Sequence, residues 1–170
     1  ICMLGTGYVG LVSGTCFADL GNIVYCVDKD KTKINKLISG NSPIYEPGLN
    51  EIIKKNFNAN RLIFSTDIEK SVKNSDIIFI CVGTPNKKKS QNVDLSYVFN
   101  AVKQISAYSK TKKIIVTKST VPVGTCDEIE KIFRNKKKSF LSVISNPEFL
   151  REGEAIRDFK FPDRIVIGSS

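Results

Sequence analysis

The residues best suited to chemistry in this chain lie near its end, in the stretch 145–159, "SNPEFLREGEAIRDF". Two carboxylates, Glu148 and Glu152, stand four residues apart just after an Asn-Pro pair. The chain has no histidine, so the side chain that most often serves as general base is missing and a glutamate is the natural substitute. A glutamate acts as a base near neutral pH where burial raises its pKa. The same spacing also suits two acids on an exposed helix face. The surrounding sequence must decide between chemistry and decoration.

A second constellation opens the chain. In "LGTGYVGLVSG", Gly5, Gly7 and Gly10 form G-x-G-x-x-G directly after a short apolar run. A lone match to this pattern is weak, but here the next apolar run ends in an acid, Asp28, eighteen residues after Gly10. That context marks a dinucleotide site. Gly5 permits the tight turn, Gly7 lets backbone approach a pyrophosphate, and Gly10 lets the helix lie close on the strand. The helix start then presents N–H groups and the positive end of its dipole to the phosphates. Asp28 is placed to accept from ribose hydroxyls, and its charge repels a 2′-phosphate, so NAD is expected over NADP. Cys16, in "GTCF", is the competing candidate as a nucleophile. It shares a helical face with Val9, Val12 and Leu20 and lies too far from the helix start to gain much from the dipole, so it reads as core.

The elements that must position these groups follow from the hydrophobic pattern. Apolar runs at 1–4, 23–28, 61–65, 76–82, 113–119, 141–145 and 164–168 are Ile- and Val-rich and apolar on both faces, as strands of a covered parallel sheet are. Helical segments are expected near 8–20, 30–39, 48–56, 94–108 and 123–135, with Asp94 as an N-cap. This alternation predicts one α/β domain, a Rossmann-like, doubly wound, mostly parallel sheet with helices on both faces. In such a sheet ligands bind beyond the carboxyl ends of the strands. Three loops fall there: "GTPN" with Thr84 and Pro85, "STVPVG" with Ser119 and Thr120, and "NPEFLREG" with the two glutamates. Any one of them is ordinary turn chemistry. Together with the glycine turn they outline a site.

Composition narrows the classes. At 170 residues and 41% hydrophobic the chain can bury the core of one domain. The net charge is +9, but the lysines come in short bursts, such as 86–92 and 135–139, without aromatic interleaving. A solvated basic surface is expected rather than a nucleic-acid face. No run reaches the roughly 18 apolar residues of a membrane span. The apolar start has no basic residue before Lys29, so it does not read as a signal peptide, and a clipped, cytoplasmic chain is expected. The five cysteines form no C-x-x-C and read as reduced thiols. No metal site is expected.

Taken in order, "GTGYVGLVSG", "VDKDKTKI", "IYEPGL", "VGTP", "KSTVPVGT" and "NPEFLREGEAIRDFKFPDRIVIG" resemble the UDP-glucose 6-dehydrogenase family. Relatives acting on GDP-mannose or UDP-N-acetylhexosamines share the first half of the pattern, and "FPDRIVIG" is most similar to the UDP-glucose members. The resemblance implies oxidation of a sugar C6 alcohol to a carboxylate with two NAD, through a thiohemiacetal and a thioester. It implies cofactor contacts at Gly5, Gly7, Tyr8, Val9, Gly10, Asp28, Lys33, Thr84, Pro85, Ser119, Thr120 and Glu152. It implies acid-base work for Glu148, a water held with the help of Thr120 and Glu152, and substrate contacts at Glu148, Phe149, Leu150, Arg151 and Glu152. The family nucleophile, a cysteine in a G-G-x-C-F-P-K-D context, is not in this chain. Nor are the middle helix and the UDP-sugar-binding domain. The expectation is therefore that residues 1–170 form the NAD-binding domain of a longer, homodimeric enzyme acting on UDP-glucose, inactive by itself. A non-catalytic nucleotide-binding or basic interaction module is the alternative of another class.

Overall fold

The computed structural model describes residues 1–87 and 93–169. Among the described residues six strands form one sheet: β1 (Cys2–Leu4), β2 (Val24–Val27), β3 (Leu62–Ser65), β4 (Ile77–Ile80), β5 (Lys113–Thr117) and β6 (Leu141–Ser145). All neighbouring pairs are parallel, in the order β3-β2-β1-β4-β5-β6. The order reverses at β1, which makes the gap beyond β1 and β4 the natural ligand crevice.

Helices α1 (Tyr8–Asp19), α2 (Lys31–Ile38), α3 (Leu49–Asn58), α4 (Ile68–Lys73), α5 (Ser96–Tyr108), α6 (Thr125–Asn135) and α7 (Ala155–Lys160) cover the sheet. Alternate strand residues feed opposite cores. Met3, Cys26 and Phe79 pack with Leu11 and Val12 of α1 and Ile53 of α3. Cys2, Leu4, Ile78 and Ile80 pack with Val102 of α5 and Phe133 of α6. Because both faces are covered, the strands read as continuous apolar runs rather than alternating ones.

Several expectations need correction. The run 164–168 is not a strand of the sheet. It meets β6 only at an antiparallel bridge between Ser145 and Gly168, and Ile165 and Ile167 are 69% and 67% exposed. Past Ser145 the next pairing position is Pro147, which has no N–H to donate, and Val166 O accepts instead from the Asn146 side chain, Nδ2, at 2.8 Å. The N-cap of α5 is Leu95 rather than Asp94, although the Asp94 carboxylate accepts from Ser96 N at 2.9 Å just ahead of the helix. Leu20 lies outside the face assigned to it and is exposed, whereas Val12 and Cys16 are fully buried. Helices α4 and α7, six residues each, are too short to carry a readable period. Four cysteines are buried free thiols and Cys126 is half-buried. Of the lysine burst 86–92, residues 88–92 lie outside the described residues. No helix among the described residues is long and apolar enough to cross a membrane.

Candidate dinucleotide and acid site

The glycine turn is built as its spacing requires. Gly5 sits at φ +101°, where a Cβ would come 2.7 Å from Cys81 O. At Gly10 a Cβ would stand 1.9 Å from Gly5 O, so only glycine lets the first turn of α1 lie this close to the turn after β1. Gly7 is different: a Cβ there would meet nothing within 4 Å. The first bond of α1 runs from Leu11 N to Gly7 O at 2.9 Å. The N–H groups of Tyr8, Val9 and Gly10 therefore precede the helical ladder and, with the open space at Gly7, form a cradle for an anion.

Asp28 follows the end of β2 and faces this turn. Its Oδ2 accepts from Thr6 N at 3.0 Å, Thr6 Oγ1 at 2.8 Å and Lys33 Nζ at 2.9 Å. Its Oδ1 accepts from Asp30 N at 3.1 Å. Burial pushes this carboxyl up, but the donors from Thr6, Lys33 and Asp30 prevail and hold it at about 2. It is an anion at any working pH.

The loops at the other strand ends converge on the same edge. Thr84 is half-buried and Pro85 exposed. Pro85 O accepts from Asp94 N at 2.8 Å. Ser119 Oγ donates to Val82 O at 2.7 Å, so this hydroxyl ties the end of β5 to the chain leaving β4 and is not aimed outward. Thr120 beside it is exposed.

The acid loop begins at Asn146. Glu148 is half-buried, and its Oε2 accepts from Leu150 N at 2.7 Å. Glu152 is exposed. Glu148, Phe149 and Arg151 line a cavity of about 780 Å³ together with Lys118, Arg164 and Phe17. Leu150 also packs against the core. Arg151 is held by Asp158 through Nε at 3.0 Å and Nη2 at 2.6 Å, so its guanidinium fork is already engaged. That pairing raises Arg151 and holds Asp158 down at about 2. The Arg164 guanidinium stacks over Phe149, 4.6 Å from the ring centre.

Three residues of this region escaped the sequence reading: Lys118, Asp158 and Glu46. Lys118 is 8% exposed, and its Nζ donates to Asn146 Oδ1 at 3.2 Å. Burial lowers its pKa against the opposing pull of Cys81 and Glu148. Burial likewise pushes Cys81 up to about 12, an inert thiol. Only proximity to Ser119 and Thr120 in "KSTVPVG" could have singled Lys118 out. Glu46, buried in "IYEPGL", accepts from the Tyr8 hydroxyl and from Gly153 N at 2.8 Å. Among the described residues no cluster of metal-ligating side chains could hold an ion.

The model of the UDP-glucose/GDP-mannose dehydrogenase family, NAD binding domain, matches residues 1–170. The chain belongs to this family. It is 54% identical over 169 residues to the UDP-glucose 6-dehydrogenase of Rhizobium meliloti and 51% identical over 172 residues to one from Bacillus subtilis. These alignments span 99% and 100% of this chain but 39% and 37% of those proteins. Among solved structures, a GDP-mannose dehydrogenase from Pseudomonas aeruginosa superposes with a TM-score of 0.94 at 38% identity. A UDP-glucose dehydrogenase from Pyrobaculum islandicum does so at 0.91 and 39%. Each comparison covers 99% of this chain and 40% of the other. As a domain of this family the chain binds NAD, and the open cradle at Gly7 beside an ionised Asp28 fits that cofactor.

Proposed function

We propose that this chain is the NAD-binding domain of a longer cytoplasmic enzyme that oxidises UDP-glucose to UDP-glucuronate with two NAD. The observation that carries the reading is the meeting of the glycine cradle and the acid loop at one sheet edge, joined where Tyr8 Oη accepts from Gly153 N at 3.1 Å. The sugar is taken from the UDP-glucose 6-dehydrogenases at 54% and 51% identity.

In this reading Gly5, Gly7, Tyr8, Val9 and Gly10 hold the pyrophosphate of NAD. Three donors fill Asp28 Oδ2, so Oδ1, which takes one, accepts a ribose hydroxyl, and Lys33 donates beside it. Thr84 and Pro85 line the cofactor, and Ser119 fixes the turn that presents Thr120. NAD supplies the hydride acceptor. The chain's own task is proton handling. Each alcohol oxidised to a carboxylate passes two hydrides to two NAD, consumes one water and releases three protons. Glu148 accepts and returns protons at Oε1, because Oε2 is held by Leu150 N–H. Thr120 and Glu152 hold the water, with Glu152 on the cofactor side. Phe149, Leu150 and Arg151 contact the sugar nucleotide, Arg151 through its backbone since Asp158 engages its fork.

The nucleophile belongs to the part of the enzyme outside this chain, so residues 1–170 by themselves bind NAD and turn over nothing. Full-length enzyme given UDP-glucose should release two NADH per UDP-glucuronate. Turnover of GDP-mannose instead, favoured by the TM-score of 0.94 to such an enzyme, would move the assignment to that sugar. UDP-glucuronate formed by the 170-residue chain would overturn the division of labour.

A further inference from the structure

Glu46 is the buried acid that the proposed chemistry does not use. It is 6% exposed, and among the described residues no lysine or arginine pairs with it. A buried carboxylate without a cation is costly unless hydrogen bonds satisfy it. Here they come from two parts of the chain, the start of α1 and residues 153–156. Tyr8 Oη and Gly153 N donate to Oε2, the latter at 2.8 Å, and Ile156 N lies 3.4 Å from Oε1. Burial and the Glu46 carboxylate push Tyr8 up to about 12, so its hydroxyl keeps its proton and remains a donor.

The position of these bonds is what matters. Tyr8 is the first residue of α1, next to the Gly7 cradle. Gly153, at φ +88°, directly follows Glu152. The Tyr8 hydroxyl also lies 3.4 Å from Arg151 O. With its one proton given to Glu46, the hydroxyl does not bond Arg151 O; the peptide plane after Glu152 is held, through Gly153 N–H, which faces both Glu46 Oε2 at 2.8 Å and Tyr8 Oη at 3.1 Å. Glu152 itself is exposed, and its side chain has no comparable anchor among the described residues.

We propose that Glu46 is a positioning residue: with Tyr8 it clasps the backbone after Glu152 to the start of the dinucleotide helix, and so sets the acid loop against the cofactor without touching cofactor or substrate. This rests on the reading of Glu152 as a cofactor-side residue. A purely structural tie would affect how much enzyme folds. A positioning tie affects the turnover of each folded enzyme, because small misplacement of a catalytic group lowers rate more than binding.

The test uses full-length enzyme carrying Glu46→Gln, Tyr8→Phe or both. Glu46→Gln keeps the shape but substitutes a donor for one carboxylate oxygen. Tyr8→Phe removes the hydroxyl that donates to Glu46 and accepts from Gly153 N, leaves Glu46 its Gly153 bond, and is the second variant should Glu46→Gln fold poorly. Each single variant should lower kcat per folded enzyme about tenfold, the worth of one hydrogen bond to a charged group, and Glu46→Gln, which touches no cofactor, should keep KM for NAD within about twofold. The double variant should be less than additive, and amide exchange at Gly153 should speed up. Unchanged kcat alongside faster Gly153 exchange, or a loss only of melting temperature, would overturn the proposal. Failure of the unsubstituted enzyme to bind NAD would instead sink the underlying assignment of the site.

Discussion

Lys33 Nζ stands 2.9 Å from Asp28 Oδ2, on the oxygen that also receives the N–H and hydroxyl of Thr6. One carboxylate thus joins the glycine turn, the end of β2 and the first turn of α2. Its second oxygen remains for a ligand hydroxyl. Asp28→Ala should weaken NAD binding about tenfold, as for loss of a charged hydrogen bond. Calorimetric titration of the 170-residue chain measures this directly, and an unchanged isotherm would refute the ribose assignment.

The same carboxylate makes stability depend on acid. Its folded pKa, about 2, is depressed below the ordinary aspartate value of about 3.9. The stabilisation it provides is therefore complete above about pH 4 and lost as pH falls from there through about 2. The shift corresponds to about 2 kcal/mol. Asp28→Asn should flatten the acid limb of a stability-against-pH curve in that window. A limb of unchanged slope would count against the hydrogen-bonded anion.

Two glycines of the fingerprint should separate folding from binding. Gly10→Ala puts a methyl 1.9 Å from Gly5 O and should cost about 3 kcal/mol or more, since backbone must move to admit it. Gly7→Ala meets nothing within 4 Å, so its melting temperature should hardly change while the methyl crowds the phosphate approach and weakens NAD. Paired thermal melts and NAD titrations distinguish the two. Equal destabilisation by both would contradict the open cradle.

Glu148→Gln should leave NAD binding by the 170-residue chain intact, because Glu148 lines the cavity on the acid side and not the glycine turn. In full-length enzyme it should slow UDP-glucuronate formation at least about 100-fold, the usual scale for removing a general base. A smaller loss, with normal product ratios, would move acid-base work to another group.

Much of the architecture was legible because its causes are local. The steric need for glycine at Gly5 and Gly10 and the alternation of apolar runs with helical periods depend on neighbours a few residues away. So does the acid that closes the second strand. They suffice for a parallel, two-faced sheet and an NAD site, and the observed strand order agrees. The run 164–168 misled because its composition suits a strand, yet a strand also needs a partner edge, and Pro147 ends the one available.

By itself the sequence determined the chemistry on offer: a glycine cradle, an acid at the end of the second strand, a pair of glutamates and no histidine. Only the tertiary structure decided how those groups are held. It buried Glu46 against Tyr8 and Gly153, 38 and 107 residues away in the chain. It engaged Arg151 with Asp158 and placed the Lys118 ammonium in the cavity that Glu148 lines. The reason is physical: burial and hydrogen-bond partners are properties of surfaces brought together across the fold, and no local period records them.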